Sequence, residues 1–359
     1  MADQTAIEWT DSTFSPWTGC TKISPACDHC YAESWSKRAG ARVGKWGPGA
    51  PRVRTAPANW RKPVQWNAKP FYECHRCCWR GDTPSQPADG GLWFCPACKS
   101  LDVFTARRRV FCASLADVFD NEVDPQWRDD LFDLIAATPN LDWLLLTKRI
   151  GNVRGMLPAT WTIGATKPWP NVWLGATICN QAEADRDVPK LLAIPAAKRF
   201  LSIEPMLGPV DMAWAFPDTR TGCCHRCGFR TNRVGGICPN DGETLRGDIG
   251  VDWVIAGGES GPKARPMHPD WVRSLRDQCA AARVPFMFKQ WGEWVDADSG
   301  PDDDEAYEGK PDCWVDPSGR AHDGALGVDF FHGTYAMYRV GKKAAGNTLD
   351  GRQHLEWPR

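Results

Sequence analysis

The sequence predicts an α/β protein built on a full or partial parallel β/α barrel that carries two small cysteine-rich insertions. Three observations support this prediction. Short apolar segments alternate with amphipathic ones, polar residues follow the apolar segments, and cysteines concentrate where this alternation is missing. Alternating strands and helices form a parallel sheet, because each helix returns the chain to the edge where the next strand begins. A flat doubly wound sheet is the alternative.

Length and composition are those of a folded globular protein. The 359 residues fit one barrel of about 250 residues with insertions. No apolar run approaches the roughly 18 residues that span a bilayer, and the N-terminal segment has no apolar signal region. We therefore expect a cytoplasmic protein with no membrane partner. In that compartment the sixteen cysteines are expected to be reduced and to act mainly as metal ligands.

Six apolar runs predict buried parallel strands, and three amphipathic segments predict helices. Near-continuous apolar runs of this length are typical of strands covered on both faces. The predicted strands cover residues 109–114, 141–147, 171–177, 199–204, 253–259 and 284–290, and the helices residues 127–137, 182–192 and 270–283.

Polar or charged residues end each predicted strand. In a β/α barrel the active site is built at the carboxyl ends of the strands. We therefore expect one site that collects these side chains: Ser114, Asp117, Lys148, Arg149, Cys179, Glu204, Glu259, Lys289 and Gln290.

The cysteine-rich segments divide the chain. We predict a barrel start with a cysteine loop (1–70), a first insertion (71–105), barrel (106–220), a second insertion (221–248), the barrel end (249–295) and a C-terminal extension (296–359).

The first cysteine group lies on one loop and comprises Cys20, Cys27 and Cys30. Three thiolates on one loop can hold three irons of a four-iron cluster, which leaves the fourth iron open. A structural zinc site would need a fourth ligand, and His29 is poorly placed for that role because it adjoins Cys30. The loop therefore predicts an iron–sulfur cluster, with zinc as the alternative.

The first insertion contains two pairs with the spacing of a zinc ribbon. Cys74 and Cys77 form one Cys-x2-Cys pair, and Cys95 and Cys98 form the other. Four thiolates in this arrangement bind zinc tetrahedrally. A second iron–sulfur cluster is the alternative.

The second insertion contains an incomplete version of the same pattern. Cys224 and Cys227 form one pair, but Asp241 stands where the second pair, begun by Cys238, would end. A carboxylate oxygen can also ligate zinc, so we predict a second zinc-ribbon-like site from these four residues. Cys223 or His225 could instead supply the fourth ligand, or the insertion could be held by packing alone.

The segment from Pro16 to Glu33 resembles the radical S-adenosylmethionine superfamily. It is most similar to a phage-associated branch of unknown function, often encoded beside a three-Cys-motif partner protein. The superfamily usually has three residues between the first two cysteines, whereas this chain has six. Further similar strings lie at 146–149, 201–205, 256–261, 288–293, 341–346 and 349–352.

This resemblance implies a partial β/α barrel of the radical S-adenosylmethionine type with a [4Fe-4S] cluster. It also implies reductive cleavage of S-adenosylmethionine to a 5′-deoxyadenosyl radical, and a possible protein partner encoded nearby. His29 fills a position that is commonly aromatic and can stack on the adenine.

The cofactor needs further polar groups around it. We predict that Ser114 and Asp117 bind the amino group, Lys148 or Arg149 the carboxylate, and Glu204 the ribose. The resemblance adds Gly257, Gly258 and Glu259 to the cofactor site. Cys179 is the candidate hydrogen-atom donor. Any of these polar residues could instead form a strand-end ion pair or a helix cap.

The substrate prediction is nucleic acid, which the enzyme would modify or repair. Arginines adjoin tryptophans between Arg52 and Trp66, and a basic string covers residues 107–109. Such mixtures suit phosphate contacts and base stacking. A radical enzyme acting on a protein or small metabolite is one alternative. A non-catalytic zinc-ribbon binding protein is the other.

Overall fold

Seven parallel strands form the central sheet in a computed structural model of the chain. They are β1 (Ser12–Phe14), β2 (Arg108–Cys112), β3 (Leu141–Thr147), β4 (Val172–Thr177), β5 (Lys198–Ile203), β6 (Trp253–Gly257) and β7 (Phe286–Gln290). The structure describes residues 3–40, 43–86, 91–161, 169–216, 222–223, 230–231, 239–240, 246–247, 250–296, 310–322 and 333–358.

The strand order decides between the two predicted architectures. Strands β1 to β7 are neighbours in the same order in the sheet as in the chain, and every pairing is parallel. A doubly wound sheet would reverse its strand order at a switch point. The sheet is therefore a half-barrel, which agrees with the predicted partial barrel and not with the flat alternative.

Helices connect the strands. They are α1 (Tyr31–Ala39), α2 (Pro57–Asn67), α3 (Pro125–Ala136), α4 (Ile150–Met156), α5 (Gln181–Leu192), α6 (Pro269–Ala282) and α7 (Lys342–Ala345). Short 3-10 turns cover Pro25–Cys27, Ala159–Trp161 and Ala213–Ala215. The three predicted helices are confirmed as α3, α5 and α6. None of the helices in the described ranges combines the length and apolarity needed to cross a membrane.

Local sequence explains where these helices begin. The Asp124 carboxylate accepts a hydrogen bond from the Gln126 N–H at the start of α3, where Pro125 occupies the first turn. The Asn180 side chain likewise accepts from the N–H of Glu183 at the start of α5. Both arrangements satisfy N–H groups that have no partner inside the helix.

The six predicted strands are confirmed as β2 to β7, with shorter ends in several cases. The strand predicted for 109–114 ends at Cys112, because Ala113 adopts a left-handed conformation with φ of 65°. This turn directs Ser114 and the residues after it across the carboxyl end of the sheet.

Aromatic side chains fill the lower part of the concave face. Trp9, Phe111, Trp173, Phe200 and Trp253 belong to one buried cluster there. Gly175 makes room for Phe200, since a Cβ atom on Gly175 would lie 2.4 Å from that ring. This packing gives the concave face an aromatic floor.

The C-terminal segment covers the outer edge of β7. The Phe288 N–H donates to the His354 carbonyl at 2.9 Å, and Met287 and Leu355 form an antiparallel bridge. Trp357 then packs on Trp253 with ring centroids 4.6 Å apart. The sheet edge is thus protected by the chain itself, which prevents edge-to-edge association.

Small antiparallel sheets surround the half-barrel. Trp17–Thr18 pairs with Val53–Arg54, and the first insertion contains Tyr72–Cys74, Arg80–Gly81 and Val103–Thr105. The second insertion contains Gly222–Cys223, Arg230–Thr231 and Arg246–Gly247. The C-terminal extension contains Val295–Asp296, Cys313–Val315, Ala321–His322, Tyr335–Tyr338, Thr348–Leu349 and Arg352–Gln353. The predicted ligands Cys224, Cys227, Cys238 and Asp241 lie outside the described residues.

Candidate functional site

A cavity of about 450 Å³ opens at the carboxyl ends of the strands. Its volume lies within the range of small-molecule and cofactor sites. Most of the predicted site residues line it: Cys20, Cys27, His29, Cys30, Ser114, Asp117, Lys148, Arg149, Glu204, Gly258 and Glu259. Lys289 and Gln290, also predicted for the site, line it as well. The structure therefore brings together predicted residues that are up to 270 positions apart, between Cys20 and Gln290.

The cysteine loop reaches this cavity directly after the Trp17–Thr18 strand. Gly19 makes the turn with φ of +102°, and a Cβ atom there would lie 2.8 Å from the Lys45 carbonyl oxygen. The Ser24 hydroxyl then caps the 3-10 turn Pro25–Cys27 by accepting from the Ala26 N–H. Cys30 immediately precedes α1. These local features place all three cysteines of the loop at the wall of the cavity.

Arg149 connects the end of β3 to the cysteine loop. Its Nη1 donates to the Cys20 sulfur at 3.4 Å, and its Nη2 donates to the Thr21 carbonyl at 2.8 Å. Burial raises the pKa of the Cys20 thiol to about 11, Asp117 acts in the same direction, and Arg149 opposes both. The guanidinium is thus a positioning group for Cys20 and the nearby source of positive charge.

The Asp117 carboxylate is already occupied by donors of the protein. Its Oδ1 accepts from the Thr147 hydroxyl at 2.7 Å and from the Phe119 N–H at 2.9 Å. Its Oδ2 accepts from the Lys148 N–H at 3.1 Å. Asp117 is buried and ties the segment after β2 to the end of β3. This geometry favours a structural role over contact with a bound amino group.

Ser114 lies at the same rim and has fewer hydrogen-bond partners than Asp117. Its hydroxyl is 3.3 Å from that of Ser15, and its carbonyl oxygen accepts from the Tyr31 hydroxyl at 2.6 Å. The second contact joins the rim of β2 to the first residue of α1, directly after Cys30. Ser114 therefore keeps hydrogen-bonding capacity toward the cavity.

Glu259 anchors the cysteine loop from the opposite side. Arg265 donates to both of its carboxylate oxygens, at 2.9 and 2.7 Å, and continues to Asp28 at 2.9 Å. The His29 Nδ1 atom lies 3.0 Å from Glu259 Oε2. Burial alone would raise the pKa of Glu259, but the Arg265 hydrogen bonds and nearby His29 outweigh it and lower the pKa.

The two glycines before Glu259 are required by a close approach of backbone. A Cβ atom on Gly258 would lie 1.9 Å from the Trp291 carbonyl oxygen, and one on Gly257 would lie 3.2 Å from that of Gln290. The residues that follow β6 and β7 therefore run against each other here. Gly257 itself is not among the residues that line the cavity.

Glu204 is the centre of a third polar group. Lys289 Nζ donates to its two oxygens at 2.8 and 2.9 Å, and Gln290 Nε2 donates to Oε1 at 2.6 Å. All three side chains line the cavity, as the polar ends of β5 and β7 predicted.

Several lining residues were not predicted from the sequence. Thr177 and Ser202 are paired neighbours on β4 and β5 and line the cavity together. Their inward position follows from strand alternation, which could have identified them. Lys342 and Trp46 also line the cavity. Lys342 lies in the string at 341–346 that carries the resemblance, whereas no local pattern marks Trp46.

The first insertion forms a separate four-thiol group. The sulfur atoms of Cys74 and Cys98 are 3.6 Å apart, and those of Cys77 and Cys95 are 3.5 Å apart. All four lie within 4.8 Å of one another. A tetrahedral zinc site with Zn–S bonds of about 2.3 Å has sulfur–sulfur edges of about 3.8 Å. The group could therefore bind a metal ion such as zinc.

The two halves of this group have matching turns. The Cys78 N–H donates to the Cys74 carbonyl and the Lys99 N–H to the Cys95 carbonyl, at 2.8 and 2.9 Å. Cys78 and Lys99 both adopt left-handed conformations, with φ of 61° and 62°. Cys78 is thus the turn residue after a ligand pair. It does not belong to the four-thiol group.

Comparison with known proteins places the chain in a family. The model of a family described as a protein of unknown function, DUF5131, matches residues 4–358. The chain belongs to this family. Neither the curated proteins nor the solved structures yielded a match.

Cys179 of this DUF5131 protein does not line the cavity. It is buried, and its N–H donates to Glu183 Oε2 at 3.0 Å. Burial, together with Glu183, raises the pKa of its thiol to about 12. This location does not favour the predicted role as a hydrogen-atom donor.

Some residues of the basic segment between Arg52 and Trp66 have buried partners in this DUF5131 protein. Arg52 is buried and pairs with Asp120 at 2.8 Å and Glu122 at 2.6 Å. Arg54 lies over the Trp60 ring at 4.3 Å, and Trp66 is buried. In the 107–109 string, the second and third arginines are also buried. Burial of Arg52, Arg108 and Arg109 does not favour the predicted phosphate contacts at these three positions, whereas Arg54 and Arg61 are exposed.

Proposed function

We propose that the chain is a radical S-adenosylmethionine enzyme with a [4Fe-4S] cluster on Cys20, Cys27 and Cys30. The observation that carries this proposal is that the three cysteines line one cavity together with the polar ends of the strands. When bound, the cluster and S-adenosylmethionine would supply a 5′-deoxyadenosyl radical, which removes a hydrogen atom from the substrate. Residues that line the cavity would hold and orient these groups.

The donor set fits a cluster better than a single ion. In a cluster each thiolate ligates a different iron, so the sulfurs need not approach as closely as around one zinc. Among the described residues, only the four-thiol group of the first insertion has three or more ligand atoms within 4.8 Å of one another. This difference supports cluster binding by the cysteine loop and zinc binding by the insertion.

Two arginines would keep the cysteine loop in place. Arg149 holds Cys20 from the β3 side, and Arg265 holds Asp28 from the β6 side. Thiols must lose their protons to bind metal, and positive charge beside the sulfur favours that loss. Arg149 is suited to this role because it contacts the Cys20 sulfur directly.

The cofactor roles are proposed with the roles of Asp117 and Glu259 changed from the sequence expectations. Ser114 keeps a hydroxyl for the amino group and Lys148 supplies a cation for the carboxylate, since both line the cavity. Asp117 and Glu259 would act through other residues, because protein donors occupy their oxygens. His29 would remain beside the adenine.

The proposed substrate is a nucleic acid that the enzyme modifies or repairs. Aromatic side chains line the cavity beside the polar groups: Trp9, Tyr31, Trp46 and Phe111. Such rings can stack on a base. A base inside a duplex is hidden, so the substrate would be single-stranded or would present a flipped nucleotide.

Anaerobic reconstitution followed by a dithionite assay tests the proposal. The wild-type chain should bind iron and sulfide and release 5′-deoxyadenosine from S-adenosylmethionine. Two signals should be lost in each of the variants Cys20→Ala, Cys27→Ala and Cys30→Ala. They are the broad visible absorbance of the iron–sulfur cluster and the formation of 5′-deoxyadenosine. Cys78→Ser is the matched control, because Cys78 is exposed and lies outside both thiol groups. Full iron content in all three alanine variants would contradict the proposal.

A further inference from the structure

Gln290 contains a buried acceptor that the protein leaves unpaired. The residue ends β7, is 5% exposed and lines the cavity. Its Nε2 donates to Glu204 Oε1 at 2.6 Å and is 3.4 Å from the Gly258 carbonyl oxygen. Its Oε1 is buried without a hydrogen-bond partner among the described residues. An unpaired buried acceptor is costly, so such an atom calls for a ligand.

The orientation of this amide follows from its neighbour. Glu204 is an acceptor when ionised, so the amide atom 2.6 Å from it must be the nitrogen. Lys289 Nζ also donates to Glu204, through two of its three hydrogens at most. The Glu204–Lys289–Gln290 cluster therefore contains a buried acceptor without a partner among the described residues, beside a donor with remaining capacity.

The surroundings restrict what this cluster can bind. Thr177 and Ser202 add hydroxyl groups, while Trp9 and Phe111 add flat apolar surface to the same cavity. A phosphodiester or an ionised carboxylate has no hydrogen to give to Gln290 Oε1, and an apolar ligand would leave that atom unpaired. A planar heterocycle with donors and acceptors along one edge satisfies both the polar and the aromatic groups.

We propose that the Glu204–Lys289–Gln290 cluster binds the hydrogen-bonding edge of a nucleobase, with Gln290 Oε1 accepting from an exocyclic amine. This inference rests on the proposed function and names what its cavity recognises. The base has two sources, the adenine of S-adenosylmethionine or a base of the substrate strand. Both would present the same chemistry to Gln290.

Nucleoside binding to the full-length chain tests this proposal without reductant. Adenosine should bind at least about tenfold more tightly than inosine, which has a carbonyl in place of the amine, a ratio that corresponds to 1.4 kcal/mol. Cytidine and uridine form the second pair, in which the nucleoside with the amine should again bind more tightly. Gln290→Met should remove the preference for the amine. Gln353→Met is the matched control, because Gln353 is exposed on the C-terminal hairpin.

A competition arm identifies the source of the base. If saturating S-adenosylmethionine abolishes adenosine binding, the cluster binds the adenine of the cofactor. If the preference for the amine persists, the cluster binds a base of the substrate. The wild-type comparison is decisive even if Gln290→Met does not fold. Absence of nucleoside binding, equal affinity within both pairs, or an unchanged preference in folded Gln290→Met would overturn the proposal. Amine-selective binding without 5′-deoxyadenosine formation would contradict the proposed function alone.

Discussion

Arg149 Nη1 donates to the Cys20 sulfur at 3.4 Å, although the two residues are 129 positions apart in the chain. The same guanidinium lies 3.5 Å from Asp117 and 3.8 Å from Asp120. One buried cation thus lies between the Cys20 thiol and the carboxylates of Asp117 and Asp120. The loop is positioned by charge as well as by its backbone turns.

Replacement of Arg149 by Met should destabilise the protein and weaken iron binding. The change removes one buried cation beside Asp117 and Asp120. The loss should stay below the about 3–5 kcal/mol of a buried charge left unpaired, because Asp120 keeps Arg52 at 2.8 Å. Urea unfolding and iron content after reconstitution measure the two effects. Arg154→Met is the control, because Arg154 is exposed on α4. Equal iron content and stability in both variants would argue against the role of Arg149.

Glu259 should make the stability depend on pH in the acidic range. Its pKa in the folded protein lies below the ordinary value of 4.5. The stabilisation is therefore fully present above that value and is lost as the pH falls through the folded pKa. Glu259→Gln should unfold with a shallower pH dependence below about pH 4.5 than the wild type. Urea unfolding at a series of pH values provides the comparison.

The control for this experiment is Glu8→Gln, because Glu8 is exposed. Its pH dependence should match that of the wild type. If Glu259→Gln also matches the wild type, the ion pair with Arg265 does not stabilise the fold.

Cys95→Ser should remove the metal from the first insertion without affecting the cysteine loop. The four sulfurs belong to one group, and a structural zinc ion contributes about 10–16 kcal/mol of apparent binding free energy to such small units. Zinc content should fall from about one ion per chain toward zero, while iron content stays unchanged. Cys78→Ser should retain both metals. Parallel loss of iron would mean that the two centres fold as one unit.

Gly175→Ala should destabilise the half-barrel by about 1–3 kcal/mol, the usual cost of overpacking. The added methyl group would lie 2.4 Å from the Phe200 ring. Phe200→Leu in the same chain should recover part of the loss, because the ring that clashes is then absent. Gly155→Ala on α4 is the control, since a Cβ atom there meets nothing within 4 Å. Thermal unfolding of the four proteins gives the comparison.

The strands and helices were predictable because their patterns are local. Six apolar runs became β2 to β7, and three amphipathic segments became α3, α5 and α6. The weakest element, β1, has only the three residues Ser12–Phe14 and is not one of the six apolar runs. Its identity depends on parallel pairing with β2, almost a hundred positions away.

The sequence by itself determined the half-barrel elements, the cysteine pairs of the first insertion and the collection of strand-end polar residues at one face. These features depend on residue spacing, which is fixed along the chain. Only the tertiary structure decided which polar groups stay available to a ligand. Asp117 and Arg52 have buried partners, whereas Gln290 Oε1 has none among the described residues. Such pairings join distant segments, as Arg265 does with Asp28 across 237 positions. They depend on how the strands close around the cavity, which no local pattern encodes.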